Sequence, residues 1–400
     1  MKSLPQDVVA RWPRERPARI SRVNPPDLAV GMGQAALGFL LASLGPCLIL
    51  LARDLSVSPG ALSWLSAGFG AGLLLLGIAG TPLLRLGARR VLSASAACIA
   101  LGAVLLATAW LIVVAQAGAL FLGLGGAGIV LAGWALLSGP AAARRLSRAN
   151  AASSLAGISA PPLIGAVDAL TGHGRLALLL SVPVLLWLAA TPRSGPGQVR
   201  DPFPSSEPSG HTRPPIWHVV GRWTCVVAAV SAEFAFVVWG AARLQASGLS
   251  PSAASASAVA FPIGMGAGRL LAPWLIDRAP VVGLGAVLGI VSALVAAAPV
   301  PPLLVTAALG GAGLGIAALF PLMLARLMGT TGLGARRGAS LGTAASGAAV
   351  LGAPVLLNVI ASHTSLRAGF LVVVVALVFL VLLHSIAAPW KNPENPPSAA

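Results

Sequence analysis

The sequence predicts an all-α integral membrane protein with twelve transmembrane helices in two six-helix halves. The 400-residue chain is 57% hydrophobic and only 9% charged, whereas soluble domains are about a quarter charged. Its apolar residues form long blocks between short charged clusters, which is typical of helical membrane proteins. The two halves also repeat at one offset, so we expect a pseudo-two-fold axis along the membrane normal.

The formal net charge of +16 has its explanation in membrane topology. In a soluble protein such a charge would suggest nucleic acid. Here the predicted spans put 22 of the 26 Lys and Arg residues on one side of the membrane. This asymmetry follows the positive-inside rule. We therefore expect a multi-pass protein of the cytoplasmic membrane with both termini in the cytoplasm, in contact with membrane lipid and without a nucleic-acid partner.

The first half begins after a basic, proline-containing cytoplasmic tail at residues 1–27. Six spans are predicted within residues 28–190, at about 28–52, 58–83, 91–110, 112–138, 150–170 and 176–190. Ser58 and Pro59 supply an N-cap and a first-turn proline for the second span. Glycines recur in the second and fourth spans, which predicts close helix packing.

The second half follows a Pro-, Ser- and Gly-rich stretch at residues 191–216, which we interpret as a flexible cytoplasmic linker. Six more spans are predicted within residues 217–388, at about 221–242, 253–276, 281–298, 302–328, 339–361 and 366–388. A polar cytoplasmic tail at residues 389–400 ends the chain.

The internal repeat has an offset of 192 residues and appears in three separate regions. The matching positions are Ser58-Pro59 with Ser250-Pro251, Gly72 with Gly264, Arg144-Arg145 with Arg336-Arg337, Ser154 with Ser346, and Pro162 with Pro354. Repeats of this kind place a binding site between the halves, near the middle of the membrane. We expect the first, fourth, seventh and tenth spans to line it.

Glu233 lies near the middle of the otherwise apolar seventh span. A carboxylate at that depth is costly, so such residues face a water-filled cavity or a partner. Burial there favours the neutral form, and we interpret Glu233 as a proton-coupling residue. A structural hydrogen-bonding role is the alternative. Asp168, near the outer end of the fifth span, is the second candidate for proton coupling.

The predicted substrate cavity holds few charges, because no Lys or Arg is assigned to the middle of a span. This favours a neutral, amphipathic or weakly cationic small molecule over phosphates or dicarboxylates. Three amide side chains and two tryptophans are candidate substrate contacts: Gln34, Gln116, Asn358, Trp134 and Trp239. Packing or helix bridging is the alternative for each.

From the first span to the last, the chain resembles the major facilitator superfamily. Residues 80–90 resemble the loop signature of that family, with Gly80, Arg85, Gly87 and Arg89 in place and Leu84 where an Asp is usual. Residues 268–278 resemble the same signature and keep its Asp-Arg pair. The resemblance implies a cytoplasmic gate made of Arg85, Gly87, Arg89, Arg269, Asp277 and Arg278. A solvated loop pair is the alternative for Asp277 and Arg278.

A third stretch, residues 157–166 in the fifth span, loosely resembles the Gly-Pro signature of the proton-coupled antiporters of that family. Gly157, Pro162 and Gly165 match it, while Pro161 and Ala166 stand where Gly is usual. The resemblance implies efflux. A proline kink with small-residue packing is the alternative.

No metal-ligand cluster, nucleophile motif or nucleotide-binding loop stands out in the sequence. We therefore predict a non-enzymatic protein without cofactor or metal. The expected function is secondary transport of a small molecule by alternating access, as a monomer that couples efflux to protons by antiport. Proton-coupled uptake of a small nutrient is the alternative. A non-transporting membrane sensor or scaffold of the same fold is the second alternative.

Overall fold

The computed structural model describes residues 25–58, 64–84, 86–137, 142–190, 215–275, 280–330, 332–333 and 335–386. Within these ranges the regular structure is helical throughout. Long apolar segments take this form because a helix satisfies its own backbone hydrogen bonds, which lipid cannot do.

The first half of the chain forms six α-helices and one 3-10 helix. The α-helices are α1 (Pro25–Asp54), α2 (Trp64–Leu84), α3 (Ala88–Ala107), α4 (Ile112–Leu136), α5 (Ala142–Thr171) and α6 (Val182–Ala190). The 3-10 helix, Gly174–Ser181, leads directly into α6. It follows a turn at Gly172, whose φ of 74° lies in the left-handed region that favours glycine.

The described residues of the second half form nine α-helices of unequal length. They are α7 (Ile216–Gln245), α8 (Pro251–Ser257), α9 (Ala260–Leu275), α10 (Val281–Ala297), α11 (Pro302–Ile316), α12 (Leu319–Met328), α13 (Ala335–His363), α14 (Leu366–Gly369) and α15 (Leu371–Ile386). Ser250 caps α8 by accepting a hydrogen bond from the Ala253 amide, and Pro251 follows in the first turn, as in other helix starts of this type.

Each of the twelve predicted spans coincides with one helix or with two consecutive helical segments, so the all-α membrane fold is confirmed. The sixth, eighth, tenth and twelfth spans are the divided ones. In the described part of the chain, eight helices are long and apolar enough to cross a membrane. Twelve crossings and the boundaries of the two halves remain predictions. Most of the predicted linker and the C-terminal tail lie outside the described residues.

A glycine contact occurs at matching positions of the repeat. A Cβ added at Gly72 of α2 would lie 2.5 Å from the Leu120 carbonyl oxygen of α4. A Cβ added at Gly264 of α9 would lie 2.0 Å from the Gly310 carbonyl oxygen of α11. The second and fourth spans of each half therefore approach each other through glycine, as the small-residue pattern predicts.

Small residues also line the seam between the two halves of the chain. A Cβ at Gly45 of α1 would lie 2.3 Å from the Val237 carbonyl oxygen of α7. A Cβ at Gly70 of α2 would lie equally close, 2.3 Å, to the Leu351 amide nitrogen of α13. Backbones that meet this closely leave little room for side chains, so the space that does remain along the seam is a distinct cavity.

Candidate functional site

A cavity of about 160 Å³ lies between α1, α5, α7, α9 and α11. One water needs roughly 10–15 Å³ by a comparable measure, so the space exceeds what a single water fills. The walls are mostly apolar, and Glu233 and Arg269 are the ionisable side chains among the described residues that line them. The first half contributes Ser153 and Ser154 as polar lining.

Glu233 projects from the middle of α7 and keeps 19% of its side chain exposed to the cavity. Its Oε1 lies 3.8 Å from an Nη of Arg269. That separation is an ion contact and is too long for a hydrogen bond. None of the described residues donates a hydrogen bond to this carboxyl group. A buried acceptor is costly when it has no donor, so Glu233 needs a proton, a water or a ligand that donates to it.

Arg269 connects the two halves at the wall of this cavity. Its other Nη donates a hydrogen bond of 3.1 Å to the Ser154 hydroxyl on α5, while its charge faces Glu233 on α7. Side chains on a helix lean toward the helix N-terminus. On α9 this direction carries the guanidinium from near the helix end back to the level of Glu233.

Aromatic side chains form much of the remaining wall. Phe234, Phe236 and Phe261 line the cavity. The rings of Phe236 and Phe261 stack with centroids 5.8 Å apart. Phe234 stacks on Phe69 of α2 at 6.2 Å, so an aromatic contact crosses between the halves next to the cavity. The site therefore pairs one carboxyl and one guanidinium with a large apolar and aromatic surface.

No protein-family model matches the chain, and no curated protein matches it either. Several solved structures do match the chain in fold. The nucleoside transporter NupG matches with a TM-score of 0.65 at 13% identity, over 91% of this chain and 98% of that one. A bacterial homologue of the human lysosomal transporter Spinster, inward-facing, matches with a TM-score of 0.65 at 14% identity, over 92% of this chain and 97% of that one.

The chain shares its overall fold with these transporters, as the resemblance to the major facilitator superfamily implies. The resemblance that its loop motifs indicate is confirmed at this level. Both neighbours are described as transporters. The apolar helices make the chain an integral membrane protein.

Of the five predicted substrate contacts, the four whose side chains are described do not line this cavity. Gln34 is buried at 5% exposure, and Gln116 and Asn358 are half-buried elsewhere. Trp239 is buried and donates its indole N–H to the Pro354 carbonyl oxygen at 3.3 Å. Trp134 belongs to α4, and its side chain lies outside the described part of the structure.

The lining helices also differ from expectation. The first, seventh and tenth spans contribute, as predicted, but α4 supplies none of the described lining residues, and α5 and α9 take part instead. The expectation of a cavity without Lys or Arg is corrected by Arg269. Arg269 lies near the end of the eighth span in sequence, but its side chain extends back toward the middle of that span, which the sequence position alone does not indicate.

Asp168, the second proton-coupling candidate, lies at the far end of α5, outside the cavity lining. Both of its oxygens accept hydrogen bonds of 2.9 Å from Arg53 at the end of α1. The Gly174 amide donates a third, at 3.1 Å. Arg53 also donates to the Gly172 carbonyl oxygen at 2.8 Å. The structure thus brings Asp168 into a clamp that joins α1, α5 and the 3-10 helix.

The predicted cytoplasmic gate is described only in part. Gly87 precedes α3 with a φ of 103°, a conformation that favours glycine. Arg89 is exposed. Arg85, Asp277 and Arg278 lie outside the described residues, so the gate remains a prediction. Among its proposed members, Arg269 takes part in the cavity contacts given above.

The sequence prediction missed the polar lining of α5 and the apolar contributions of α9. Ser154 appeared there only as a match in the repeat, and Phe261 and Met265 did not appear at all. A usable signal for α5 was present, since Ser153 and Ser154 stand side by side one turn before Gly157, within the predicted fifth span. No comparable signal marks Phe261 or Met265, because apolar residues line both packed and empty faces of membrane helices.

Proposed function

We propose that this protein is a secondary transporter that carries a small organic molecule across the cytoplasmic membrane by alternating access, as a monomer. The supporting observation is the contact of Glu233 with Arg269 and of Arg269 with Ser154, in a cavity between the halves. The transporter descriptions of the structural neighbours agree with this function.

Glu233 is the proposed proton-coupling residue. When Glu233 is ionised, its charge attracts Arg269 across the 3.8 Å gap. A proton on the carboxyl removes that attraction and leaves Arg269 with its hydroxyl partner on the first half. Protonation therefore changes the balance of forces on the side chain that contacts both halves. A ligand or proton that interacts differently with two conformations shifts the population between them.

The cavity favours a substrate with an apolar or aromatic body and at least one N–H or O–H donor. The phenylalanine wall offers dispersion and stacking contacts. The carboxyl of Glu233 offers an acceptor without a described donor. Neutral amphipathic molecules and weak amines fit this description. In the proposed mechanism an N–H or O–H group of the substrate competes with the proton for the carboxyl oxygens of Glu233. Because only one of the two binds at a time, the substrate is exchanged for the proton.

Proton-coupled efflux is therefore the proposed direction, and the fifth span supports it. Its residues 157–166 resemble the antiporter signature, and Gly157 of that stretch lines the cavity. Uptake by symport is the second candidate. Arg269 favours it in one respect, because protonation of Glu233 frees a guanidinium to bind an anionic group of a substrate that enters together with the proton.

Proteoliposomes with a trapped pH dye test the coupling proposal. Lipophilic cations, neutral drugs, sugars and organic anions are added to wild type and to Glu233→Gln, which keeps the shape of the side chain but cannot titrate. We expect a substrate-triggered pH change in wild type and none in Glu233→Gln. The matched control is Glu207→Gln, the same change in the predicted linker, which we expect to behave as wild type.

An equal response in wild type and Glu233→Gln would place proton coupling at another residue. Measurable substrate binding without flux in any lipid would favour the sensor or scaffold function over transport.

A further inference from the structure

A basic cluster lies where α7, α12 and α15 meet, at the predicted cytoplasmic side. An Nη of Arg222 donates to the Arg326 carbonyl oxygen at 3.1 Å and to the Thr330 hydroxyl at 3.0 Å. The Arg326 guanidinium contacts the imidazole of His384 through both ring nitrogens. Arg222, Arg326 and His384 are half-buried. Each arginine has donors left over, since the described contacts use one Nη of each.

No carboxylate in the described part of the chain balances this cluster. The four acids there are Asp27, Asp54, Asp168 and Glu233. Each forms a salt bridge with an arginine outside the cluster. Asp27 pairs with Arg145, Asp54 with both Arg53 and Arg175, Asp168 with Arg53, and Glu233 with Arg269. Two half-buried guanidinium groups without an anion are costly, because buried charges are normally paired.

The first half has an acid at the corresponding end of its first helix. At its cytoplasmic side, Asp27 at the start of α1 pairs with Arg145 of α5. The residue that corresponds to Asp27 at the repeat offset is Val219 of α7. Arg145 corresponds to Arg337, so Arg222, one helical turn after Val219 on α7, has no equivalent cation in the first half. Among the described residues of the second half, no acid takes the place of Asp27.

The surroundings of the cluster are those of a membrane interface. Two side chains at the start of α7 are strongly exposed, Ile216 at 67% and Trp217 at 80%. Leu382, near His384 on α15, is 55% exposed. Tryptophan is enriched at the level of lipid headgroups. Apolar side chains that flank basic ones in this way suit acyl chains beside an anionic headgroup.

We propose that Arg222, Arg326 and His384 bind the phosphate of an anionic phospholipid from the cytoplasmic leaflet. Guanidinium donors match phosphate oxygens in geometry and charge. Basic pockets between membrane helices on the cytoplasmic side bind such headgroups. The bound lipid supplies an anion that none of the described acids supplies there, and it joins α7, α12 and α15 at one end.

Native mass spectrometry of the full-length protein tests this site by counting retained phosphatidylglycerol and phosphatidylcholine. We expect wild type to retain phosphatidylglycerol selectively. Arg222→Gln and Arg326→Gln should each weaken that binding roughly fivefold, because one surface cation contributes about 1 kcal/mol to anionic lipid binding. The control is Arg367→Gln, an exposed arginine on the predicted opposite side, which should leave the affinity within twofold of wild type.

A second measurement uses wild type alone, so that it does not depend on the folding of the variants. Thermal unfolding is followed in phosphatidylcholine nanodiscs, with phosphatidylglycerol or with inorganic phosphate added. We expect phosphatidylglycerol to raise the midpoint by several degrees and millimolar phosphate to leave it unchanged. An equal effect of free phosphate would reassign the site to a soluble anion, and no preference between the two lipids would overturn the proposal.

Discussion

Asp168 and Glu233 have opposite surroundings, although each is an acid within a predicted membrane span. Three donors occupy the oxygens of Asp168, whose side chain is 4% exposed. Glu233 accepts no hydrogen bond from the described residues and faces a cavity. A carboxylate with its oxygens occupied serves structure, and one with free oxygens is suited to exchange its partner. At the scale of the residue, the geometry favours Glu233 for coupling.

The Asp168→Asn variant separates these roles. It removes the charge that Arg53 binds through two hydrogen bonds. A hydrogen bond to a charged group contributes about 1.5–3 kcal/mol to the free energy of unfolding. We expect a lower thermal unfolding midpoint, while the folded fraction keeps its substrate-triggered pH response. Glu207→Gln again serves as the control. An unchanged midpoint together with a lost pH response would move the coupling role to Asp168.

At the scale of the element, the α2–α13 contact depends on the absence of a side chain. The Cβ of an alanine at position 70 would meet backbone of α13 at 2.3 Å, and backbone cannot rotate away as a side chain can. The helices would have to separate. The contact also carries a hydrogen bond of 3.3 Å from Ser340 to the Gly77 carbonyl oxygen, which separation would lengthen.

We therefore expect Gly70→Ala to destabilise the protein by about 1–3 kcal/mol, the usual range for overpacking. Gly352→Ala is the matched control on α13, because a Cβ there meets nothing within 4 Å. It should be neutral or stabilise by about 0.5–1 kcal/mol, since alanine is the better helix former. Thermal unfolding of both variants measures the difference. Equal midpoints would show that the helices can separate at no cost.

At the scale of the whole molecule, the direction of transport depends on whether the substrate moves against the proton, as in antiport, or with it, as in symport. For antiport, inside-out vesicles with an acidic lumen should accumulate the substrate. Right-side-out vesicles with an acidic exterior should not. Symport predicts the reverse pattern, so accumulation only in right-side-out vesicles would replace efflux by uptake. Collapse of the pH gradient with an ionophore is the control, and it should abolish accumulation in either case.

Much of this molecule could be predicted from its sequence because lipid imposes strict rules. Apolar runs of sufficient length must be helical, and an acid such as Glu233 in the middle of one must avoid lipid. The remaining details depend on tertiary contacts. The reach of Arg269 depends on the direction of its side chain, and the indole of Trp239 turns to the Pro354 carbonyl oxygen. Neither direction is encoded by position along a span.

The hydroxyl of Ser154 has a consequence for the energy balance of the transport cycle. It is an uncharged partner for Arg269 across the seam, and a hydrogen bond of this kind contributes only a few kcal/mol at most. A carboxylate in its place would trap one conformation. A two-state molecule whose states differ little in free energy needs only a small input to reverse its populations. In the proposed mechanism a single proton on Glu233 is the input that reverses the populations, and a weak contact between Arg269 and Ser154 allows the protein to return to its first conformation after each turnover.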